Sequence, residues 1–163
     1  LGPEMHSTGE VMGMGSDFPE AYYKSQLASG QDLPQGGNVF ISVNDRDKPI
    51  LPEVAAMFAD LGFHLLATRG TARYLRERGL EVEEVLKVYE GRPNIVDRMI
   101  INTASGKNTA RDSKSIRHTA VSYGVPYCTT VAGAKASAIA IGKRREDTHV
   151  ESLQEYYARE ARG

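Results

Sequence analysis

The sequence FHLLATRGTARYLRERG, residues 63–79, indicates the fold of the chain. The apolar run at residues 63–67 predicts a buried strand, and residues 71–78 predict a helix that ends at Gly79. Only a short turn separates the two elements, as is usual where a strand leads into a helix in an α/β protein. A strand-helix unit of this kind is expected to be one repeat of a larger alternating pattern.

The same alternation extends on both sides of this unit. Further strands are predicted at residues 39–43, 82–88, 100–102 and 127–128. Helices are predicted at residues 18–27, 54–61, 94–99, 112–123, 131–141 and 152–159. This order of elements predicts an α/β fold of three layers, in which a five-stranded, mostly parallel sheet is flanked by helices.

Two features of the chain concern its organisation. Residues 1–36 are rich in glycine and end in the linker QDLPQGG, so we predict a boundary near Gly36, with a preceding segment at 1–36 and the main domain at 37–163. Because the chain starts with Leu1, we expect it to be a piece of a longer protein.

The segment NIVDRMIINTASG passes from predicted helix to predicted strand without turn residues. We therefore expect missing residues, and a gap or disorder, between Met99 and Ile100.

Composition excludes several classes of function. Acidic and basic residues number 21 and 20, so there is no broad positive field for nucleic-acid binding. Cys128 is the only cysteine, which excludes an internal disulfide and a thiolate zinc cluster and fits a reducing compartment. No apolar run is long enough to span a membrane and the first residues do not resemble a signal peptide, so a cytoplasmic protein is expected. The histidines show no metal-ligand spacing, and no metal site is predicted: His6, His64, His118 and His149.

Polar residues near the strand ends predict a ligand site. Ligands of parallel sheets bind at the carboxyl ends of the strands, and here those ends have hydroxyls, amides and lysines without a carboxylate cluster. This combination suits a phosphate group. The candidate residues are Ser42, Lys48, Thr68, Gly70, Thr71, Lys87 and Asn102.

The segment Thr68-Arg69-Gly70-Thr71 is the most specific part of this prediction. A strand-to-helix turn with glycine directs backbone N–H groups and a helix N-terminus at an anion. Lys87 interrupts the apolar run VLKV, where a charge is costly unless it reaches a site or solvent. Glycine and threonine are also common turn and cap residues, and most lysines are solvated surface charges. The ligand interpretation therefore depends on the position of these residues after successive strands.

Long stretches of the chain resemble one known family. They are LGPEMHSTGEVMG, SVNDRDK, LLATRGTARYLRERGL, KVYEGRPNIVDR and IINTASGKNTARDSKSIRHTAVSYGVPYCTT. Together they resemble the end of the large subunit of bacterial carbamoyl-phosphate synthetase, over almost the whole chain. The resemblance implies its C-terminal allosteric domain, of the methylglyoxal-synthase-like fold, with LGPEMHSTGEVMG closing the preceding ATP-grasp half. It also implies an effector site for UMP, an inhibitor, and IMP, a weak activator, at the seven candidate residues.

The resemblance implies further partners. Tyr127 and Thr129 fall on positions that border an ornithine site, and Ala104 replaces a threonine that contacts the nucleotide in many family members. ATP and its Mg or Mn ions are expected only in the rest of the large subunit, so no cofactor is expected in this domain. The rest of that subunit and the small glutaminase subunit are the expected protein partners, in pyrimidine and arginine biosynthesis. A short polar loop of the family, of the form KNGE, is absent before Ile100.

Three alternatives remain open. A methylglyoxal synthase acting on dihydroxyacetone phosphate needs a carboxylate base, but Val96 stands at about that position and Asp97 is displaced by one residue, about 100° round a helix. An IMP cyclohydrolase domain would have STGGT-type and KTLHP-type segments, which are absent. A docking or oligomerisation module would have no ligand. We expect the chain alone to be catalytically inert.

Overall fold

Five strands form one sheet in the computed structural model, which describes residues 11–85, 97–103, 116–146 and 153–161. The sheet order is β3-β2-β1-β4-β5, and every neighbouring pair is parallel. The strands are β1 (Gly37–Ser42), β2 (Phe63–Thr68), β3 (Glu83–Val85), β4 (Asp97–Asn102) and β5 (Tyr127–Cys128). The predicted α/β fold with a five-stranded sheet is confirmed, and the sheet is parallel throughout.

Helices connect these strands and flank them. They are α1 (Phe18–Ala28), a 3-10 helix (Lys48–Ile50) that leads into α2 (Leu51–Asp60), α3 (Arg69–Arg76), α4 over residues 116–122, α5 (Val131–Glu146) and α6 (Leu153–Glu160). In the described ranges, each α-helix corresponds to a predicted helix, although most of the ends differ by a few residues. The 3-10 helix was not predicted. None of the described helices is both long and apolar enough to cross a membrane.

Side chains of successive strand residues point to opposite faces of the sheet, and both faces are covered. In β1, Val39 and Ile41 belong to a large core that includes residues of α2, α3 and α5, whereas Phe40 belongs to a smaller cluster with Ala120 of α4. This alternation is the ordinary result of the two-residue period of a strand. Because both faces are covered, the ends of the strands are where polar side chains are best placed to meet a ligand.

Helix α1 packs against the same core as the sheet. Tyr23 of α1 and Leu33 of the following linker are buried with the residues of α5. Asp17 caps α1, where its carboxylate accepts a hydrogen bond of 2.9 Å from the backbone N–H of Glu20. The boundary predicted near Gly36 stays a prediction, and the structure adds that residues on both sides of it share one core.

The helix predicted at residues 94–99 was wrong in its described part. Residues 97–99 belong to strand β4 instead of a helix, and the strand continues through Met99 and Ile100 without a break. The register against β1 shifts between Asn38 and Val39, so an irregularity in the ladder accommodates the early start of β4. No turn is needed at Met99–Ile100 because no helix ends there.

Candidate anion-binding site

Three neighbouring strands, β2, β1 and β4, end at the same level, and their carboxyl ends bring several predicted residues together. Strand β1 ends at Ser42, β2 at Thr68 and β4 at Asn102. Ser42 and Asn102 are register partners, and Ile41 pairs with Ala67, so the three ends are level. The backbone N–H of Thr103 donates a hydrogen bond of 3.1 Å to the carbonyl of Ser42. Backbone hydrogen bonding between β1 and β4 thus continues to the carboxyl ends of these strands.

Buried polar side chains are concentrated at the carboxyl ends of these strands. Among the residues that the structure describes, five polar residues are buried, and four of them lie here: Thr68, Thr71, Asn102 and Thr103, the fifth being Ser137. Burial of a polar group costs free energy unless the group is hydrogen-bonded, so such a concentration is unusual in a fold whose other buried residues are apolar. In the described structure, buried polar groups thus distinguish the carboxyl ends of the strands from the rest of the core.

Thr71 lies deeper than the sequence suggested. It is only 1% exposed, and its hydroxyl accepts long hydrogen bonds from the Val43 N–H at 3.5 Å and the Thr68 hydroxyl at 3.4 Å. A position of Thr71 near the surface, expected for a polar residue in a strand-to-helix turn, is wrong because the first turn of α3 packs against the loop after β1. Substitution of Thr71 therefore disturbs packing as well as any ligand contact.

The N-terminus of α3 is exposed at Arg69 and Gly70 and has no side-chain cap. Its N-cap, Thr68, makes no side-chain capping hydrogen bond, and the first turn has no acidic residue. Gly70 lacks the positive φ that favours glycine, and a Cβ added there would meet one described atom within 4 Å, the Nζ of Lys48 at 3.7 Å. Neither backbone conformation nor crowding requires a glycine here. Because glycine has no Cβ, it leaves free space over the backbone N–H groups at the positive end of the helix dipole.

Lys48 lies beside this helix end. Its side chain is 18% exposed, and its Nζ donates to Asp45 Oδ1 at 2.6 Å, whereas Asp45 is 94% exposed. The hydrogen bond and the charge of Lys48 lower the pKa of the Asp45 carboxyl. The Nζ also lies 5.7 Å from the centroid of the Tyr74 ring. The ammonium group is therefore held near Gly70 by contacts from the loop after β1 and from α3.

Asn44 fixes the loop after β1, and it was not among the predicted site residues. Its backbone N–H and its side-chain amide both donate to the Thr103 hydroxyl, at 3.2 and 3.0 Å. The side-chain amide also donates to Asp47 Oδ2 at 2.7 Å, and the Asn44 side-chain carbonyl accepts from the Asp47 N–H at 3.2 Å. These bonds form a turn that presents Lys48. The spacing Asn-x-x-Asp is a turn signal, but its bond to Thr103 joins residues 59 apart in sequence, which no local pattern shows.

Other predicted residues lie elsewhere or outside the described part. Lys87 and Ala104 lie outside the described residues. Tyr127 is half-buried in β5 and Thr129 is exposed directly after it. Strand β5 is three strand spacings from β2, about 14 Å, so the structure does not bring Thr129 to the N-terminus of α3.

Asp97 lies at the opposite end of the sheet from the candidate site. It is the first residue of β4 and pairs with Asn38 near the start of β1. Five residues of strand, about 16 Å, separate its backbone from Asn102. We had predicted that a helix turns Asp97 away. The predicted helix was wrong at residue 97, which is in a strand, but the backbone at this position is still far from the candidate site.

Cys128 is part of a buried contact and has no sign of an activated thiol. It is 8% exposed, lies 3.5 Å from the Ser137 hydroxyl, and burial raises the pKa of its thiol. Cys128 is therefore a small buried residue of the core. Within the described ranges, no group of three or more His, Cys, Asp or Glu side chains is arranged to hold a metal ion.

Comparison with known proteins gives one consistent result. Residues 51–129 match the family model of the MGS-like domain. The chain is 49% identical to the carbamoyl phosphate synthase large chain of Nostoc sp., over 96% of this chain and 15% of that protein. It is 49% and 54% identical to the C-terminal sections of the carbamoyl phosphate synthase large chain of Aquifex aeolicus and Methanopyrus kandleri. These matches cover 96% and 86% of this chain, and 32% and 28% of those proteins.

The lengths of these matches add two facts. The chain spans about a sixth to a third of the relatives that it matches. The alignment with the Aquifex protein is 170 residues long, more than the 163 residues of this chain, so that protein has residues without a counterpart here.

Proposed function

Since the chain belongs to the MGS-like domain family, we propose that it is the allosteric regulatory domain of a glutamine-dependent carbamoyl phosphate synthase. Its relatives carry the name of that enzyme's large chain, and two of them that of its C-terminal section. In this role the chain binds an effector and passes the signal to catalytic parts of the enzyme outside this sequence. The chain itself is then catalytically inert.

The observation that carries the proposal is the open N-terminus of α3 beside Lys48. An uncapped helix end, a glycine that leaves its amides accessible, and an ammonium 3.7 Å from the Cβ position of that glycine together suit a phosphate group. We propose that the phosphate of UMP or IMP binds there, with Ser42, Lys48, Thr68, Gly70, Thr71 and Asn102 at the strand ends. Lys87 completes the proposed set.

A second ligand and several partners belong to the same proposal. Tyr127 and Thr129 would border an ornithine site shared with the preceding part of the large subunit. Their distance from α3 supports an ornithine site separate from the nucleotide site. ATP, with Mg or Mn, would bind in other parts of the large subunit, and the small glutaminase subunit would complete a cytoplasmic enzyme. No cofactor, nucleic acid or membrane is proposed for this domain.

Titration calorimetry of the chain with UMP, IMP and inorganic phosphate tests the proposal. We expect nucleotide binding at one site, weaker binding of inorganic phosphate at the same site, and competition between the two. Ornithine is expected to bind poorly, because its site would be incomplete in this chain.

An enzyme assay separates the alternatives. Release of methylglyoxal from dihydroxyacetone phosphate by the purified chain would contradict a regulatory role and favour a lyase. If neither nucleotide nor phosphate bound, the proposal would be wrong, and a docking module would be the better description.

A further inference from the structure

We propose that Tyr74 is a positioning residue for Lys48, and that its ring holds the ammonium group where an anion at the N-terminus of α3 needs it. This inference rests on the proposed function. Tyr74 was not among the residues selected from the sequence, where it is simply one of eight tyrosines. It lies on α3, one helical turn after Gly70.

The position of Lys48 shows why a second contact is needed. Asp45, its ion-pair partner, is almost fully exposed and precedes Lys48 by three residues in the same loop. Because Asp45 lies in solvent, its attraction for the ammonium is screened by water and salt and is weak. Asp45 alone would therefore leave the ammonium free to turn toward solvent.

The Tyr74 ring supplies the second contact. It lies 5.7 Å from the Lys48 Nζ, within the range of a cation–π interaction. The ring belongs to the same helix as Gly70, so it places the ammonium relative to the helix end. The Lys48 side chain is 18% exposed, which agrees with a lysine held along the protein surface.

Arg78 fixes the ring in turn. Its guanidinium carbon lies 3.5 Å from the centroid of the Tyr74 ring, and its Nη1 donates to the Tyr74 carbonyl at 2.9 Å. Both contacts join residues four apart in sequence, between the end of α3 and the turn that follows it, so they are local. Tyr74 is thereby held before any ligand arrives, and an ammonium placed in advance loses less conformational freedom on binding.

The ring contact, and not the hydroxyl, carries this role. Tyr74→Phe keeps the ring face and should bind UMP within about twofold of the parent chain, whereas Tyr74→Leu should bind roughly twofold to fivefold more weakly. Tyr157→Leu is the matched control, since Tyr157 is 62% exposed on α6 and should have no effect.

A double-mutant cycle tests whether Tyr74 acts through Lys48. The Tyr74→Leu substitution should weaken UMP binding in the parent chain and have no further effect in a Lys48→Met background. An equal loss in both backgrounds would overturn the proposal, because it would show a structural effect of the ring. Unchanged binding by Tyr74→Leu would overturn it too, while leaving the proposed function intact. If the parent chain bound neither UMP nor phosphate, the proposed function itself would fail, and the role of Tyr74 with it.

A second measurement covers the case in which Tyr74→Leu does not fold. In NMR spectra of the parent chain, the ring current of Tyr74 should shift the Hε protons of Lys48, and Tyr74→Phe should keep that shift. Random-coil positions of these protons in both proteins would overturn the proposal.

Discussion

Lys48 and Arg144 contact the same kinds of group in different surroundings. Each pairs with an aspartate and lies over a tyrosine ring: Lys48 with Asp45 and Tyr74, Arg144 with Asp32 and Tyr23. Arg144 also donates a hydrogen bond of 3.1 Å to the carbonyl of the buried Leu33, and so joins α5 to the linker after α1. Lys48 lies beside an uncapped helix end instead.

This difference separates a cation that stabilises the fold, Arg144, from one that we propose contacts a ligand, Lys48. Arg144 joins elements that are far apart in sequence, with partners 111 and 112 residues away, so its bonds favour the folded state. Lys48 bonds to a residue in its own loop, which contributes little to the fold, and its position beside helix amides suits an external anion. We therefore expect substitution of Lys48 to affect mainly nucleotide binding, and substitution of Arg144 to affect mainly the stability of the fold.

The largest expected effect is on nucleotide binding by Lys48→Met. Methionine keeps most of the apolar stem but removes the charge, so UMP affinity should fall by roughly tenfold to a hundredfold, as for loss of a charge-assisted hydrogen bond. The free energy of unfolding should change by less than about 0.5 kcal/mol. Titration calorimetry and urea denaturation measure the two effects. Unchanged UMP affinity would show that Lys48 is an ordinary surface lysine.

Arg144→Met should give the reverse result. Loss of the bonds to Asp32 and Leu33 and of the contact with Tyr23 should lower the free energy of unfolding by about 1–2 kcal/mol. UMP affinity should stay within about twofold of the parent chain, since the helix end at Gly70 is unchanged. The same two assays apply. A large loss of UMP binding with unchanged stability would remove the distinction between the two sites.

Gly70→Ala sharpens the comparison within the candidate site. The added methyl group would meet only the Lys48 Nζ among the described atoms, and alanine favours the helix, so stability should rise by about 0.5 kcal/mol. Inorganic phosphate should bind about threefold to tenfold more weakly, because the methyl group keeps the anion from the amides. Increased stability with unchanged phosphate binding would place the anion elsewhere.

The last expected effect concerns pH and involves α1, the helix that contains Tyr23, the ring partner of Arg144. Glu20 of α1 accepts hydrogen bonds from Lys24 and Ser16, and these lower its pKa from 4.5 to about 2. The folded state thus binds this proton less readily than the unfolded state. Glu20 stabilises the fold above about pH 4.5, and that contribution disappears as the pH falls toward 2.

Glu20→Gln provides the test of this pH effect. Thermal unfolding followed by circular dichroism should show a smaller loss of stability between pH 5 and 2.5 in Glu20→Gln than in the parent chain. Identical pH profiles would mean that Glu20 makes no such contribution.

Much of the sheet was predictable because several of its strands contain short apolar runs followed by helical patterns. Residues 63–68 and 127–128 illustrate this, since their apolar runs and flanking turns agree with β2 and β5. Asp97 and Arg98 were not recognised as strand residues because charged side chains are unusual at the start of a buried strand. Their conformation is set by pairing with β1, which is a contact between distant parts of the chain.

The candidate site was only partly predictable for the same reason. Thr68 is the last residue of β2 and Gly70 lies just after it, and this position identified them as candidates. The bond from Asn44 to Thr103 and the contact of Lys48 with Tyr74 depend on how the loop after β1 folds over two other elements. The depth of Thr71 depends on the packing of α3 beneath β1, which composition and spacing do not determine.

An NMR titration of the ¹⁵N-labelled chain with UMP tests the central claim most directly. The backbone amides of Arg69, Gly70 and Thr71 should show the largest shifts and saturate together, while the amides around Tyr23 and Arg144 stay unchanged. Excess inorganic phosphate should move the same three amides in the same direction. If UMP saturated the chain without moving them, or moved the amides near Arg144 instead, the anion would not bind at the N-terminus of α3.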